Sequence, residues 1–492
     1  MNTTDDDDDE EQLQRGRALI AAFIPVLVQA AGEIIEAYRG FIIKLVQQQD
    51  RKRLVDGRSF AKRKKKRTKY DHPRVINAIE DDYLGIVPRF RDAQFDRSFG
   101  VSRSRYEVLR ADIGREGKAF FTRSMDGLGQ PVASTDARIL LALKTLRYGV
   151  ACHCFSDYFQ MSQQLCRDCL IEFSSSIKSI YQKSFLRTPN ETDVKRIVNL
   201  HSGVHGVPGM LGSLDCSQTH WKNCPKQHHG SYVGKEKKPC IVLESVCDYN
   251  LYIWYASYGY CGALNDVNIL YLSPLLENLL NGSFDEMEKA VVPYKLDKEE
   301  FHKCYLLTDG IYPRFSRFVK AKKHPIHPAE QRFTAWQESA RKDIERAFGI
   351  LKGKWAFVGM PIRLRDLDQI SERMAACLIL HNICVSDRVM GSPEEEYNPE
   401  ASLSVNARFS SAIHTDLIVT PTDVIQNQAR VPERERSVDG ASNFEQALDW
   451  LSARKKAWKS LDDQMEAFRL VDGLKNHLVS TATDPESLQR EE

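Results

Sequence analysis

The chain has 492 residues, 42% of them hydrophobic and 28% charged, with a formal net charge of +2. This is the balance of an ordinary soluble protein with room for roughly two to four domains, and it excludes a fibrous or wholly disordered chain. The near-zero net charge hides a local imbalance: Asp5 to Glu11 is an unbroken run of seven acids, while Arg51 to Lys69 holds eleven Lys/Arg and one acid, Asp56.

In chain order, residues 1–17 are too acidic and too poor in apolar side chains to bury anything, so disorder is expected there. The acidic start also argues against a secretory signal. A helix is predicted over about 18–48. Its apolar stretch Ala18–Gly32 is shorter than a membrane span, is broken by Pro25 and Gln29 and is followed by Glu33 and Glu36, so it reads as a packing or self-association helix. No membrane association is expected. Lys62, Arg63, Lys64, Lys65, Lys66 and Arg67 form a basic run suited to nuclear import or phosphate contact; the plain alternative is a solvated charge run. Residues 71–134 read as mixed helix and loop without an assignable task.

Ser134 or Thr135 caps a predicted helix ending at Gly149. A short segment, Phe155–Phe159, follows, and Ser162 caps a longer helix with Leu165, Cys169, Phe173 and Ile177. Three helices with tight turns suggest a helix-turn-helix-like DNA-binding region over 135–200, against the plainer reading of a bundle packed on the next domain. Cys152, Cys154, Cys166 and Cys169 lie here. Their spacing is poor for zinc, and with twelve Cys and no secretory signal, free thiols are expected throughout.

Strands are predicted at about 210–215, 239–247 and 251–258, the last two joined at Asp248–Asn250. A helix over 265–280, a strand at 304–308, a helix over 338–352 and an apolar helix over about 367–389 follow. A disordered linker is expected over 391–440. A C-terminal helical segment is expected at 444–478, within 441–492, with Ala447, Leu448, Leu451, Trp458 and Phe468 as a possible stripe.

Within 201–390, carboxylates stand at informative places. Tyr305-Leu-Leu-Thr-Asp309-Gly310 is a short apolar run ending in an acid and a turn, so Asp309 should sit at a strand's C-terminal tip. Ala340, Ile344, Ala347, Phe348 and Leu351 have helical spacing, with Glu345 at the edge of their stripe. Asp215 ends a second apolar run. A strand-tip acid and a helix-borne acid can point at one metal. Each also has an ordinary alternative: Asp215 and Asp309 as turn residues, Glu345 paired with Arg341 at i−4.

Taken together, Gly212-Ser-Leu-Asp-Cys216, Trp221-Lys-Asn-Cys-Pro225, Lys238-Pro-Cys-Ile-Val-Leu-Glu244, Leu264-Asn-Asp-Val-Asn-Ile-Leu270, Leu307-Thr-Asp-Gly-Ile-Tyr-Pro313 and Arg341-Lys-Asp-Ile-Glu-Arg-Ala-Phe-Gly349 resemble the PIF/Harbinger superfamily of DDE transposases, in the branch of plant transposon proteins related to the Harbinger-derived nucleases. The resemblance runs from about Thr135 to about Asp387. It implies an α/β fold with an RNase H-like core. It also implies an Asp215/Asp309/Glu345 triad holding two Mg²⁺ or Mn²⁺ ions, with Asp215 bridging them, and Asp266 as an accessory residue. The family usually reads Asp-Cys-Met-His-Trp after the first strand. Here Gln218 takes the His position, and His220 stands two residues on. Arg341, Arg346, Lys352 and Lys354, with Lys235, Lys237 and Lys238, are candidate phosphate contacts.

The implied activity is metal-dependent DNA cleavage and joining by a nuclear protein with a cytoplasmic pool. DNA ends and target, a Myb-like DNA-binding partner and a homo-oligomer are expected with it. The alternatives are a domesticated, non-catalytic DNA-binding protein and a nuclease without transposition.

Overall fold

A computed structural model describes residues 70–280, 293–296, 299–390 and 461–482. The acidic run, the predicted helix at 18–48, the basic run Lys62–Arg67, the linker at 391–440 and the stripe residues Ala447, Leu448, Leu451 and Trp458 lie outside the described residues.

The region from 70 to 205 is helical, as read: α1 (His72–Ile79), α2 (Asp92–Phe99), α3 (Arg103–Glu116), α4 (Thr135–Tyr148), α5 (Gln163–Phe185) and α6 (Glu191–His205). The ends follow local chemistry. The Ser134 side chain accepts from Ala137 N–H and that of Ser162 from Leu165 N–H, while Asn190 and Asp193 cap α6 reciprocally. Gly149 ends α4 with φ +63°, where a Cβ would lie 2.7 Å from the Ala356 carbonyl oxygen, so only glycine fits.

These helices share a hydrophobic core with the C-terminal part of the chain. Phe95, Phe99, Leu140 and Phe173 cluster with Trp355, Leu378 and Ile379. Arg105, 2% exposed, is ion-paired with Asp387 across the same boundary. α5, the long helix of the expected helix-turn-helix-like region, packs along α4 and along α10 (Leu367–Met390), with Cys166, Cys169, Phe173 and Ile177 buried.

One five-stranded sheet follows: β1 (Met210–His220), β2 (Cys240–Cys247), β3 (Ile253–Cys261), β6 (Tyr305–Thr308) and β7 (Phe318–Lys320), in the order β3-β2-β1-β6-β7. β1, β2 and β3 run antiparallel, whereas β6 and β7 run parallel to β1 and to each other. β1 does not stop at Asp215 as the apolar run suggested. It continues through Ser217, Gln218, Thr219 and His220, paired with β2 as far as His220 opposite Cys240. Polar residues hold this extension because Ser217 and Thr219 are buried on one face, and Thr219 Oγ1 donates to Val358 O at 2.9 Å.

The predicted helix at 265–280 is two helices, α7 (Asp266–Leu272) and α8 (Pro274–Leu280). Pro274 lacks the N–H needed to continue the first. The helix bearing Glu345, α9 (Pro328–Lys354), begins ten residues earlier than predicted. Pro328 occupies its first position, where a proline is compatible with a helix, and Glu330 accepts from Ile326 and His327 N–H.

α11 (Leu461–Ala482) belongs to this domain. Its Leu470 and Leu474 pack with Met210 and Leu307 of the sheet, Phe333 and Ala340 of α9, and the small hairpin β4 (Tyr294–Leu296) and β5 (Glu299–Phe301). Phe468, expected in its buried stripe, is exposed, because the packed positions are Ala467, Leu470 and Leu474. No helix of the described residues is long and apolar enough to cross a membrane.

Candidate active site

The site forms where β1 outruns β6. Pairing between these parallel strands ends at Ser213 opposite Leu307, so Asp215 lies beyond the last pair and beside the strand end that carries Asp309. Asp309 is the first residue after β6, as predicted, and is exposed. Its carboxylate accepts from Gly310 N–H at 2.6 Å, and its carbonyl from Tyr312 N–H at 3.2 Å. Glu345 projects from α9 with half its side chain exposed.

α9 is fixed against the sheet by Gln337, whose buried amide donates to Thr308 O and Val319 O, both at 3.0 Å. That pair of bonds ties the helix to the ends of β6 and β7 and sets the distance between Asp309 and the α9 side chains. The sequence offered no sign of it beyond a polar residue on the buried stripe.

Arg341 joins two of the three acids, Asp215 and Glu345. One guanidinium nitrogen is 3.3 Å from Asp215 Oδ2 and the other 3.0 Å from Glu345 Oε1. Arg341 also lines a cleft of about 250 Å³ with Thr308, Asp309, Gln337, Glu338 and Lys342. Asp215 is one-fifth exposed. Burial pushes its carboxyl up to about 6; the Asp266 and Asp309 charges push the same way, while Cys216 N–H and Arg341 oppose them. Asp266, at the start of α7, is raised by burial and by Asp309, and is opposed by a hydrogen bond from the Cys216 thiol and by Lys235. Four carboxylates therefore share this end of the sheet.

Their oxygens are the hard donors that Mg²⁺ or Mn²⁺ takes, so the chemistry of the set fits such an ion. Arg341 stands between Asp215 and Glu345, and among the described residues no three His, Cys, Asp or Glu side chains are gathered closely enough to hold a metal.

Residues 183–391, which carry all four carboxylates, match the family model described as plant transposon protein. Over these residues the chain is similar to the plant transposon protein family. The resemblance to PIF/Harbinger proteins is thereby borne out. The chain is 21% identical over 296 residues to a protein named "Protein ALP1-like" from Arabidopsis thaliana, covering 59% of this chain and 70% of the relative. It is 24% identical over 301 residues to proteins named "Putative nuclease HARBI1" from Bos taurus and from Homo sapiens, covering 58% of this chain and 80% of each relative. No solved structure matches at the same stringency. Helices α1 to α4 and the C-terminal α11 lie outside the family match.

Within the matched residues, the other sequence candidates are dispersed. Side chains alternate along β1, so Gln218 and His220 point to the face opposite Asp215, away from the triad. They share that face with Cys216, whose thiol reaches Asp266. His220 is held below the usual histidine range by burial, Lys238 and Lys222.

Arg346 pairs with the buried Asp343 and lies over the Tyr249 ring, on another side of α9. Lys352 donates to Gln218 O, and Lys354 pairs with Asp96 of α2. Of the α9 cations expected to meet phosphate, Arg341 alone contacts a triad carboxylate in the described structure. The cysteines at 152, 154, 166 and 169 are free thiols, as expected.

One carboxylate was passed over. Glu244 on β2 pairs in register with Cys216, next to Asp215, and is fully buried. Its Oε2 accepts from Tyr255 Oη at 3.0 Å, Tyr255 Oη lies 2.9 Å from Ser273 Oγ, and its Oε1 has no hydrogen-bond partner among the described residues. Burial pushes its carboxyl up to about 7. An acid inside Cys-Ile-Val-Leu-Glu-Ser-Val-Cys was the available signal, since a charged residue is rarely fully buried without a partner.

Proposed function

We propose that this protein is a divalent-cation-dependent DNA endonuclease of the Harbinger transposase type, built on an RNase H-like core. The observation that carries the reading is the placing of three acids at the open end of two adjacent parallel strands: Asp215 and Glu345 share Arg341, and Asp309 lines a cleft with that same side chain. The strand order, with three antiparallel strands followed by two parallel ones, supports the fold assignment. The relatives named as nucleases support the reaction class.

Asp215, Asp309 and Glu345 would hold the ions, with Asp266 alongside. A pair of bound Mg²⁺ or Mn²⁺ ions supplies charge neutralisation at the phosphate and an activated oxygen nucleophile. The chain's own residues position and shield. Gln337 fixes α9 against the strand ends. Arg341 and Lys342 line the cleft and suit a phosphodiester backbone. Lys62–Arg67 would serve nuclear entry or DNA contact, and a homo-oligomer and a Myb-like partner belong to the same reading.

A second reading has its own support. The Arg341 bridge could be a permanent structural tie in a non-catalytic DNA-binding protein. Incubating the purified chain with supercoiled plasmid separates the two: the nuclease produces nicked circles with Mg²⁺ or Mn²⁺ and none with chelator. Intact plasmid across both metals, with DNA binding retained, favours the non-catalytic reading.

A further inference from the structure

We infer that Arg341 is a built-in counter-cation that sits between Asp215 and Glu345 and must swing away from them before a divalent ion binds there. The inference rests on the cleft being a cation site, and it adds how access to that site is controlled.

The geometry carries it. A single guanidinium, one-fifth exposed, spans a carboxylate on β1 and one on α9, with contacts of 3.3 and 3.0 Å. It occupies the position from which a cation would neutralise both, and like-charged acids so close repel without some cation between them. The side chain also has somewhere to go. The cleft beside it is open, and Glu338, three residues earlier on the same helix, lines the same wall as an alternative partner. Asp309 lines that cleft too, so the swing would carry the guanidinium past the third acid and free its planar donor fork, which suits a phosphate oxygen pair.

The consequence is competition. If Arg341 is off the acids in about one molecule in ten, the apparent cation affinity is about tenfold below that of the freed site. Linkage then requires DNA phosphate and the divalent ion to favour each other, because each is better bound once Arg341 leaves the acids.

The test is a Mn²⁺ titration of the full chain, read by electron paramagnetic resonance and by thermal unfolding, for wild type, Arg341→Gln, Arg341→Lys and Asp309→Asn. Arg341→Gln is expected to bind Mn²⁺ about tenfold more tightly and to gain more thermal stability from the ion than wild type. Should the Gln variant fail to fold, Arg341→Lys answers the same question: its single ammonium cannot bridge both acids, so a smaller rise in affinity is expected. Asp309→Asn should weaken the binding.

Equal or weaker Mn²⁺ binding by the Arg341 variants would overturn the inference, making Arg341 a static tie, and would leave the cation site standing. Mn²⁺ binding that ignores Asp309→Asn, or no Mn²⁺ binding by any form, would overturn the cation site itself and the inference with it.

Discussion

Glu244→Gln should make the protein's stability less sensitive to pH. Glu244 is 0% exposed, and burial lifts its carboxyl from 4.5 to about 7. The folded state therefore keeps a proton that the unfolded state releases. Below the unfolded value both states are neutral and nothing is lost. Between 4.5 and about 7 stability falls as pH rises, and above that window the loss is constant. The gap corresponds to about 3 kcal/mol at about 1.4 kcal/mol per pH unit.

Gln keeps an oxygen to accept from Tyr255 and cannot ionise. Its amide N–H₂, near the unpartnered Oε1 position, adds a cost that does not vary with pH. The assay is urea unfolding of both proteins from pH 4.5 to 8.5. The variant should gain about 3 kcal/mol on wild type across that range. Parallel stability curves would show that Glu244 is not held protonated, and the buried network with Tyr255 and Ser273 would need another account.

Leu474→Ala, at a fully buried position on α11, should cost about 3 kcal/mol in chemical denaturation by removing packing against Leu296, Phe301 and Met210. A loss below about 0.5 kcal/mol, the scale of ordinary surface changes, would detach α11 from the domain. His220→Ala should leave metal-dependent plasmid nicking unchanged, because its side chain faces away from Asp215. A strong loss in that assay would restore His220 to the site.

The parts of the site that were legible in the sequence are those that local chemistry dictates. Asp309 follows an apolar run and precedes glycine, so its strand-tip position could be read directly. Glu345 sits at a fixed phase of a helical stripe, and the Ser134 cap and Gly149 stop of α4 were equally readable. What escaped depends on partners distant in sequence. β1 extends through polar residues because β2 and Val358 satisfy them, which nothing within 216–220 announces. Arg341 could be read as an i−4 partner of Glu345, and that contact is present. Its second partner, Asp215, lies 126 positions away and could not be inferred. Phe468 was assigned to a buried stripe from periodicity alone, and the tertiary face of α11 selected Ala467, Leu470 and Leu474. The helices at 135–200 suggest a helix-turn-helix-like region or a bundle packed on the next domain, and the packing of α5 along α4 and α10 is a partnership no local pattern encodes.

The central claim is that the acids at the end of β1 and β6 cleave DNA through a shared divalent ion, and Asp309→Asn tests it most directly. Asn keeps the shape and removes a charge that a hard cation needs. Nicking of supercoiled plasmid in Mg²⁺ should fall about a thousandfold, the equivalent of losing about 4 kcal/mol of transition-state stabilisation. DNA binding and folding, measured on the same sample, should persist. Wild-type nicking by the variant, or loss of nicking only together with loss of fold, would contradict the claim.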